Sequence, residues 1–238
     1  MISALFAGFI FLFAGFVQGL TGFGSALVAI PLLSFVFDIK TAVPLCMLNG
    51  VVITTYMALN LRRDLDVGKI LPLLIGALPG ILVGIYFLKH GDESMLRHGI
   101  GVLLIAYSLY NLITRPSPVN PGKVWGYVAG FLTGAIGAAI SAGGPPAIIY
   151  TTLTSWSKEE IKATLTGFFI VNGYITASLH AIAGLTGLAV LKIFAVTVGF
   201  VLLGTVIGSK VSGKIDRKTY LRVVYWMLMG MGFLMLRN

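Results

Sequence analysis

Eight long stretches of this chain contain no Asp, Glu, Lys or Arg: residues 1–37, 41–61, 70–88, 99–114, 124–157, 163–191, 193–209 and 223–236. A membrane-crossing helix needs about 20 apolar residues, with a range of roughly 17–25. Most of these runs therefore hold one spanning segment each. Only 11% of the residues are charged and 57% are hydrophobic, whereas a soluble domain carries about 25% charged residues. So few charges cannot cover a water-facing surface. This excludes a cytosolic enzyme, a nucleic-acid binder and a disordered chain. No stretches of about ten alternating residues recur, so a transmembrane barrel is not expected either.

The runs 1–37 and 124–157 are too long for one helix and too short for two full ones. Each has a glycine cluster near its middle, Gly19–Gly24 in one and Gly143–Gly144 in the other. Each is read as two helical segments with an irregular join of the kind that a re-entrant turn would make. The N-terminal run lacks a basic start and exceeds the ~7–15-residue core of a cleaved signal peptide. Ten segments result, near 3–18, 24–37, 41–60, 68–88, 96–114, 123–139, 145–155, 161–183, 188–209 and 218–236.

The second half repeats the first. Gly15-Phe16-Val17-Gln18-Gly19-Leu20-Thr21-Gly22 lies over Gly130-Phe131-Leu132-Thr133-Gly134-Ala135-Ile136-Gly137, and Pro31 lies over Pro146. Further on, Asn49-Gly50 meets Asn172-Gly173, Lys69-Ile70 meets Lys192-Ile193, Gly84 meets Gly208 and Asp92 meets Asp216. The offset drifts from 115 to 124. The expected organisation is one all-α polytopic membrane domain made of two repeats, 1–116 and 122–238. Five segments per repeat is an odd number, so the second repeat enters the membrane upside down, as in many secondary transporters.

The basic residues orient the chain. Loops 61–69, 115–123, 156–162 and 210–222 hold twelve of the seventeen Lys and Arg residues; Lys40, Lys89, Arg97, Lys192 and Arg237 fall on the other side. By the positive-inside rule the richer side is cytoplasmic. Both termini are then external.

A short helix that starts at a join inside the bilayer points free N–H groups and a partial positive charge into it. That suits an anion. Gly22, Gly24 and Ser25 at the first join, and Ser141, Gly143, Gly144 and Pro145 at the second, are the candidate binding residues. Asn49 and Asn172 sit near the middle of their segments and are added as neutral donors; Gln18, Thr21 and Thr133 are secondary candidates. All eight acids lie in or near loops, so no buried carboxylate repels an anion. The competing reading of the asparagines is helix-to-helix hydrogen bonding.

The single cysteine, Cys46, excludes an internal disulfide and a cysteine-based metal site, and three histidines leave little for a metal. No metal, cofactor or nucleic acid is expected. The expected partners are a small anionic substrate and the lipid bilayer, with a homo-oligomer left open. Ser141 and His180 raise an alternative, a Ser–His dyad of an intramembrane protease, which needs the two side chains within hydrogen-bond reach. Another alternative is a passive anion channel.

The segment Gly15-Phe16-Val17-Gln18-Gly19-Leu20-Thr21-Gly22-Phe23-Gly24 with Pro31 resembles the opening of the sulfite exporter TauE/SafE family. Gly130, Gly134 and Gly137, running on to Gly143-Gly144-Pro145-Pro146, resemble that family's repeated motif. The resemblance implies a permease in the bacterial cytoplasmic membrane. Its expected cargo is a sulfur-containing anion such as sulfite, thiosulfate or an organosulfonate.

Overall fold

The computed structural model describes residues 2–59, 65–114, 118–212 and 217–237. It is all-helical among these residues: α1 (Ile2–Thr21), α2 (Ser25–Leu33), α3 (Ile39–Leu59), α4 (Val67–His90), α5 (Glu93–Ile113), α6 (Lys123–Ile140), α7 (Gly144–Thr152), α8 (Lys158–Ile182), α9 (Leu188–Val211) and α10 (Arg217–Arg237). Seven of them, α1, α3 to α6, α8 and α9, are long and apolar enough to cross a membrane. The chain is a multi-pass membrane protein. With nine residues each, α2 and α7 are about 14 Å long, roughly half the hydrocarbon thickness.

Local chemistry sets the boundaries. Asp66 caps α4 by accepting from the Gly68 N–H at 2.9 Å, and Ser157 with Glu160 forms a capping box at the start of α8. The helix expected over 24–37 stops at Leu33. The Ser34 hydroxyl turns back to the Pro31 carbonyl, and Asp38 accepts from the Thr41 N–H at 2.6 Å to open α3. A capping acid at Asp38 needs non-helical backbone before it, so the two helices cannot merge.

Small residues bring the long helices together. A Cβ at Gly76, Gly80 or Gly84 on α4 would collide with the carbonyl oxygens of Tyr127, Phe131 and Ala135 on α6. On α9, a Cβ at Gly204 or Gly208 would collide with the carbonyls of Leu12 and Phe16 on α1. Contact positions rise together along both pairs, so each pair runs parallel. The remaining main contacts join α5 to α10, α3 to α8, α3 to α9 and α4 to α8. Exchanging α1–α5 for α6–α10 turns this set of pairings into itself.

The register of that correspondence differs from the sequence alignment in its first helix. Helix α1 ends at Thr21 and α6 at Ile140; Gly24 precedes α2 and Gly143 precedes α7. Both comparisons give an offset of 119 rather than 115. With 119 for α1/α6 and 124 for α4/α9, Gly80 on Phe131 maps onto Gly204 on Leu12, and Gly84 on Ala135 maps onto Gly208 on Phe16. At 119 Gly15 still meets a glycine, Gly134, but Gly19 meets Ala138 and Gly22 meets Ser141, so matching glycines alone selects the offset of 115.

Polar contacts divide the loops between two ends of the bundle. At one end Lys69 pairs with Glu160 and lies 5.2 Å from the Trp156 ring. The backbone of Val119 and Asn120 donates to Leu153 nearby, and Ser212 bonds the carbonyl of Leu20. At the other end Lys40 donates to Lys89 O, Lys89 to Ala183 O, and Arg97 to Ser34 O. Lys69 and Lys89 stand near the two ends of α4, so these two sets of contacts lie at opposite ends of that helix. Arg62, Arg63, Arg115 and Lys214 lie outside the described residues.

Candidate functional site

Both joins fold the chain back on itself, and each return is tied by a side chain of the preceding helix. At the first join the Gly22 N–H donates to Gln18 O, and Gly22 and Gly24 take positive φ angles of 94° and 96°. The side-chain oxygen of Gln18 then accepts from the Ser25 N–H at 3.2 Å, at the first residue of α2. Thr21 ties the loop locally through contacts with Val17 O, Phe23 O and Phe23 N. At the second join Ser141 is left-handed at φ 53° and donates to Val43 O on α3 at 2.8 Å. Thr133 Oγ1 accepts from the Ala147 N–H at 3.1 Å. Gly143 packs so tightly against Gly137 and the Thr133 carbonyl that any Cβ would collide.

Between the joins lies a cavity of about 110 Å³. Of the candidate residues, the structure brings Gln18, Gly24, Ser25, Thr133, Ser141, Gly143, Gly144 and Asn172 to its wall. Gly22, Thr21, Asn49 and Pro145 are not part of that wall. Gly22 and Thr21 shape the first join, and Pro145 is buried within α7. Asn49 is fully buried and donates to Leu45 O at 2.9 Å and to Thr197 Oγ1 on α9 at 3.0 Å.

The two asparagines thus differ. Asn172 is 6% exposed, and its Oδ1 has no hydrogen-bond partner among the described residues. A buried amide oxygen left unpaired is costly, and this one belongs to a side chain of the cavity wall.

Sequence reasoning missed the rest of the wall: Phe23, Ala26 and Leu27 near the first join, Gly137 and Ala142 near the second, Cys46, Met47, Gly50, Val51 and Thr54 on α3, and Phe169 and Gly173 on α8. The α3 residues recur every three to four positions, one face of a helix. Asn49 is turned about 100° from Gly50, toward α9. No side chain of the wall is charged.

The first four N–H groups of a helix have no partner within it. In α2 the Ser25 N–H goes to Gln18 and the Val28 N–H reaches Gly24 O at 3.3 Å, leaving those of Ala26 and Leu27. In α7 the second and third residues are Pro145 and Pro146, which have no N–H. Thr133 takes the Ala147 N–H, leaving that of Gly144. Both helix starts face the cavity.

Ser141 and His180 do not form a dyad. Ser141 donates to Val43 O, while the His180 ring lies 2.9 Å from Ala138 O. No hydrogen bond joins them.

The sequence matches the Sulfite exporter TauE/SafE family over residues 7–235. The chain belongs to this family. A relative from Cupriavidus necator, described as a probable sulfite/organosulfonate exporter TauE, is 25% identical over 163 residues, or 66% of this chain. The match spans 63% of that relative's own length, less than two thirds. No solved structure matches the chain.

Proposed function

We propose that this family member is a carrier of small sulfur-containing oxyanions or organosulfonates, with the cavity between the joins as its central site. One observation carries the reading: two short helices, at matching places in the two halves, both begin at one uncharged cavity. Their N-terminal dipoles favour an anion there. The substrate class comes from the family and from the name of the Cupriavidus relative. The bacterial cytoplasmic membrane is the corresponding location.

The mechanism is alternating access by two inverted repeats, 1–116 and 122–238. Support comes from the exchange of helix pairings between the halves and from the paired glycine contacts of α1 with α9 and α4 with α6. Such small-residue faces permit close packing without interlocking side chains, and they are the surfaces along which the halves rock. The activity is transport without bond chemistry, in keeping with the separate engagement of Ser141 and His180.

Counterflow in proteoliposomes tests this. Vesicles preloaded with unlabelled sulfite accumulate labelled sulfite transiently against its gradient if the protein is a carrier. Simple equilibration without overshoot is the behaviour of a channel and would overturn the carrier mechanism.

A further inference from the structure

We propose that the central cavity selects by charge: it accepts singly charged sulfur oxyanions and rejects doubly charged ones of the same shape. This rests on the reading of the cavity as the anion site and goes one step further, to the ionic form that binds.

The argument is a charge count. A helix N-terminus acts as roughly half a positive charge. Two begin at this cavity, α2 at Ser25 and α7 at Gly144, which together supply about one positive unit. The wall contains no Lys, Arg or His to add to it. A monoanion is therefore balanced, and a dianion leaves about one negative unit uncompensated. Desolvation acts in the same direction, because the Born cost rises with the square of the charge and is about four times larger for the dianion.

The free hydrogen-bonding groups agree with this count. Three backbone N–H groups remain at the helix starts, those of Ala26, Leu27 and Gly144. That is a modest cradle for a doubly charged group, which is stripped of a tighter water shell. The unpaired group in the wall is the neutral amide of Asn172, with its buried Oδ1 lacking a partner. An amide both donates and accepts. It can give its NH₂ to a sulfonate oxygen, or take the hydrogen of a protonated sulfite through Oδ1. Through Oδ1 the amide distinguishes protonated from unprotonated sulfite; between methanesulfonate and sulfate, neither of which has a hydrogen to give, the charge count alone discriminates.

The test uses the full chain in proteoliposomes with two probes of similar tetrahedral shape. Methanesulfonate carries one charge and sulfate carries two. Labelled methanesulfonate is expected to show counterflow, and sulfate is expected to compete at least about tenfold more weakly than unlabelled methanesulfonate. Sulfite uptake, counted per total sulfite, should fall as pH rises through the second dissociation of sulfurous acid, while methanesulfonate uptake stays level. The level control separates titration of the substrate from titration of the protein. Thr54→Lys places a cation in the wall and should let sulfate compete. If sulfate competes as well as methanesulfonate in the unmodified protein, charge selection is overturned while the central anion site stands. If neither anion is carried while sulfite is, methanesulfonate acceptance is overturned. If no anion is carried, the transport reading falls and this inference falls with it.

Discussion

Asn49 on α3 donates through its Nδ2 to Thr197 Oγ1 on α9 at 3.0 Å, and both residues are fully buried. The bond crosses between helices from different halves of the chain, so it fastens the halves together. It leaves no donor of Asn49 for a substrate, because the other Nδ2 hydrogen goes to Leu45 O. Asn49→Ala should therefore destabilise the protein by about 1–3 kcal/mol, the cost of stranding a buried polar partner. Transport KM should stay unchanged. Thermal unfolding in detergent beside counterflow measures both, and Thr197→Val should be non-additive with Asn49→Ala because the two share one bond.

The opposite outcome is expected at Asn172. Its side chain makes no hydrogen bond to another described residue, so Asn172→Leu, similar in volume, strands nothing. Stability should hold within about 1 kcal/mol. Anion affinity should fall by roughly tenfold to a hundredfold, the loss of one hydrogen bond to a charged group. Methanesulfonate binding and thermal stability of the same preparation decide it. Unchanged affinity would remove Asn172 from the site.

The contrast between the asparagines shows where the sequence was legible. Charge-free runs gave all ten helices, because few charges are tolerated in a bilayer core whatever the packing. Glycine clusters gave both joins for two different reasons: at the first, Gly22 and Gly24 take positive φ angles, and at the second, Gly143 packs where no Cβ fits. Asn49 and Asn172 occupy corresponding places and could not be told apart by residue type. The difference lies in a third residue: at the 124 offset, Thr197 corresponds to Leu73, which has no hydroxyl to offer. Only a knowledge of which helix faces α3 makes that informative. The α3 face of the cavity was also hidden, since Cys46, Met47, Gly50 and Val51 read as ordinary apolar helix.

Gly80 and Gly204 should be equally intolerant of a methyl group, since each packs against a carbonyl of its parallel partner helix. Gly80→Ala and Gly204→Ala should each cost about 1–3 kcal/mol through overpacking. Gly99→Ala on α5 is the control. A Cβ there meets nothing within 4 Å, and alanine is the better helix former by about 1 kcal/mol, so stability should hold or rise. Thermal midpoints in detergent rank the three; a tolerant Gly204 beside an intolerant Gly80 would break the equivalence of the two helix pairs.

The two ends of the bundle predict accessibility from opposite sides of a membrane. In a Cys46→Ala background, Ser155→Cys and Ser212→Cys should react with an impermeant thiol reagent from one side, and Gly187→Cys from the other. The first two lie at the end that holds the Lys69–Glu160 pair, and Gly187 lies at the end where Lys89 meets Ala183. The positive-inside rule puts loops 61–69, 115–123, 156–162 and 210–222, which hold twelve of the seventeen basic residues in the sequence, on the cytoplasmic side as an expectation. Labelling of intact cells against inverted vesicles reads the orientation, and reaction of Ser155→Cys and Gly187→Cys from the same side would refute the arrangement.

Gln18 separates folding from anion binding most cleanly, because one atom serves the fold while the side chain lies in the cavity wall. Its Oε1 accepts from the Ser25 N–H at the start of α2. Gln18→Glu keeps an acceptor of the same shape, and a carboxylate at a helix N-terminus strengthens the cap. Stability should hold or rise. The added charge faces the same cavity, however, and a like charge within about 6 Å of an anion costs on the order of 3 kcal/mol at an effective dielectric of about 20. That is roughly a hundredfold in affinity. Gln18→Leu reverses the pattern: the cap is lost, stability falls by about 1 kcal/mol, and no repulsion is introduced. A stable Gln18→Glu that still binds methanesulfonate with unaltered affinity would mean the anion does not sit at the start of α2.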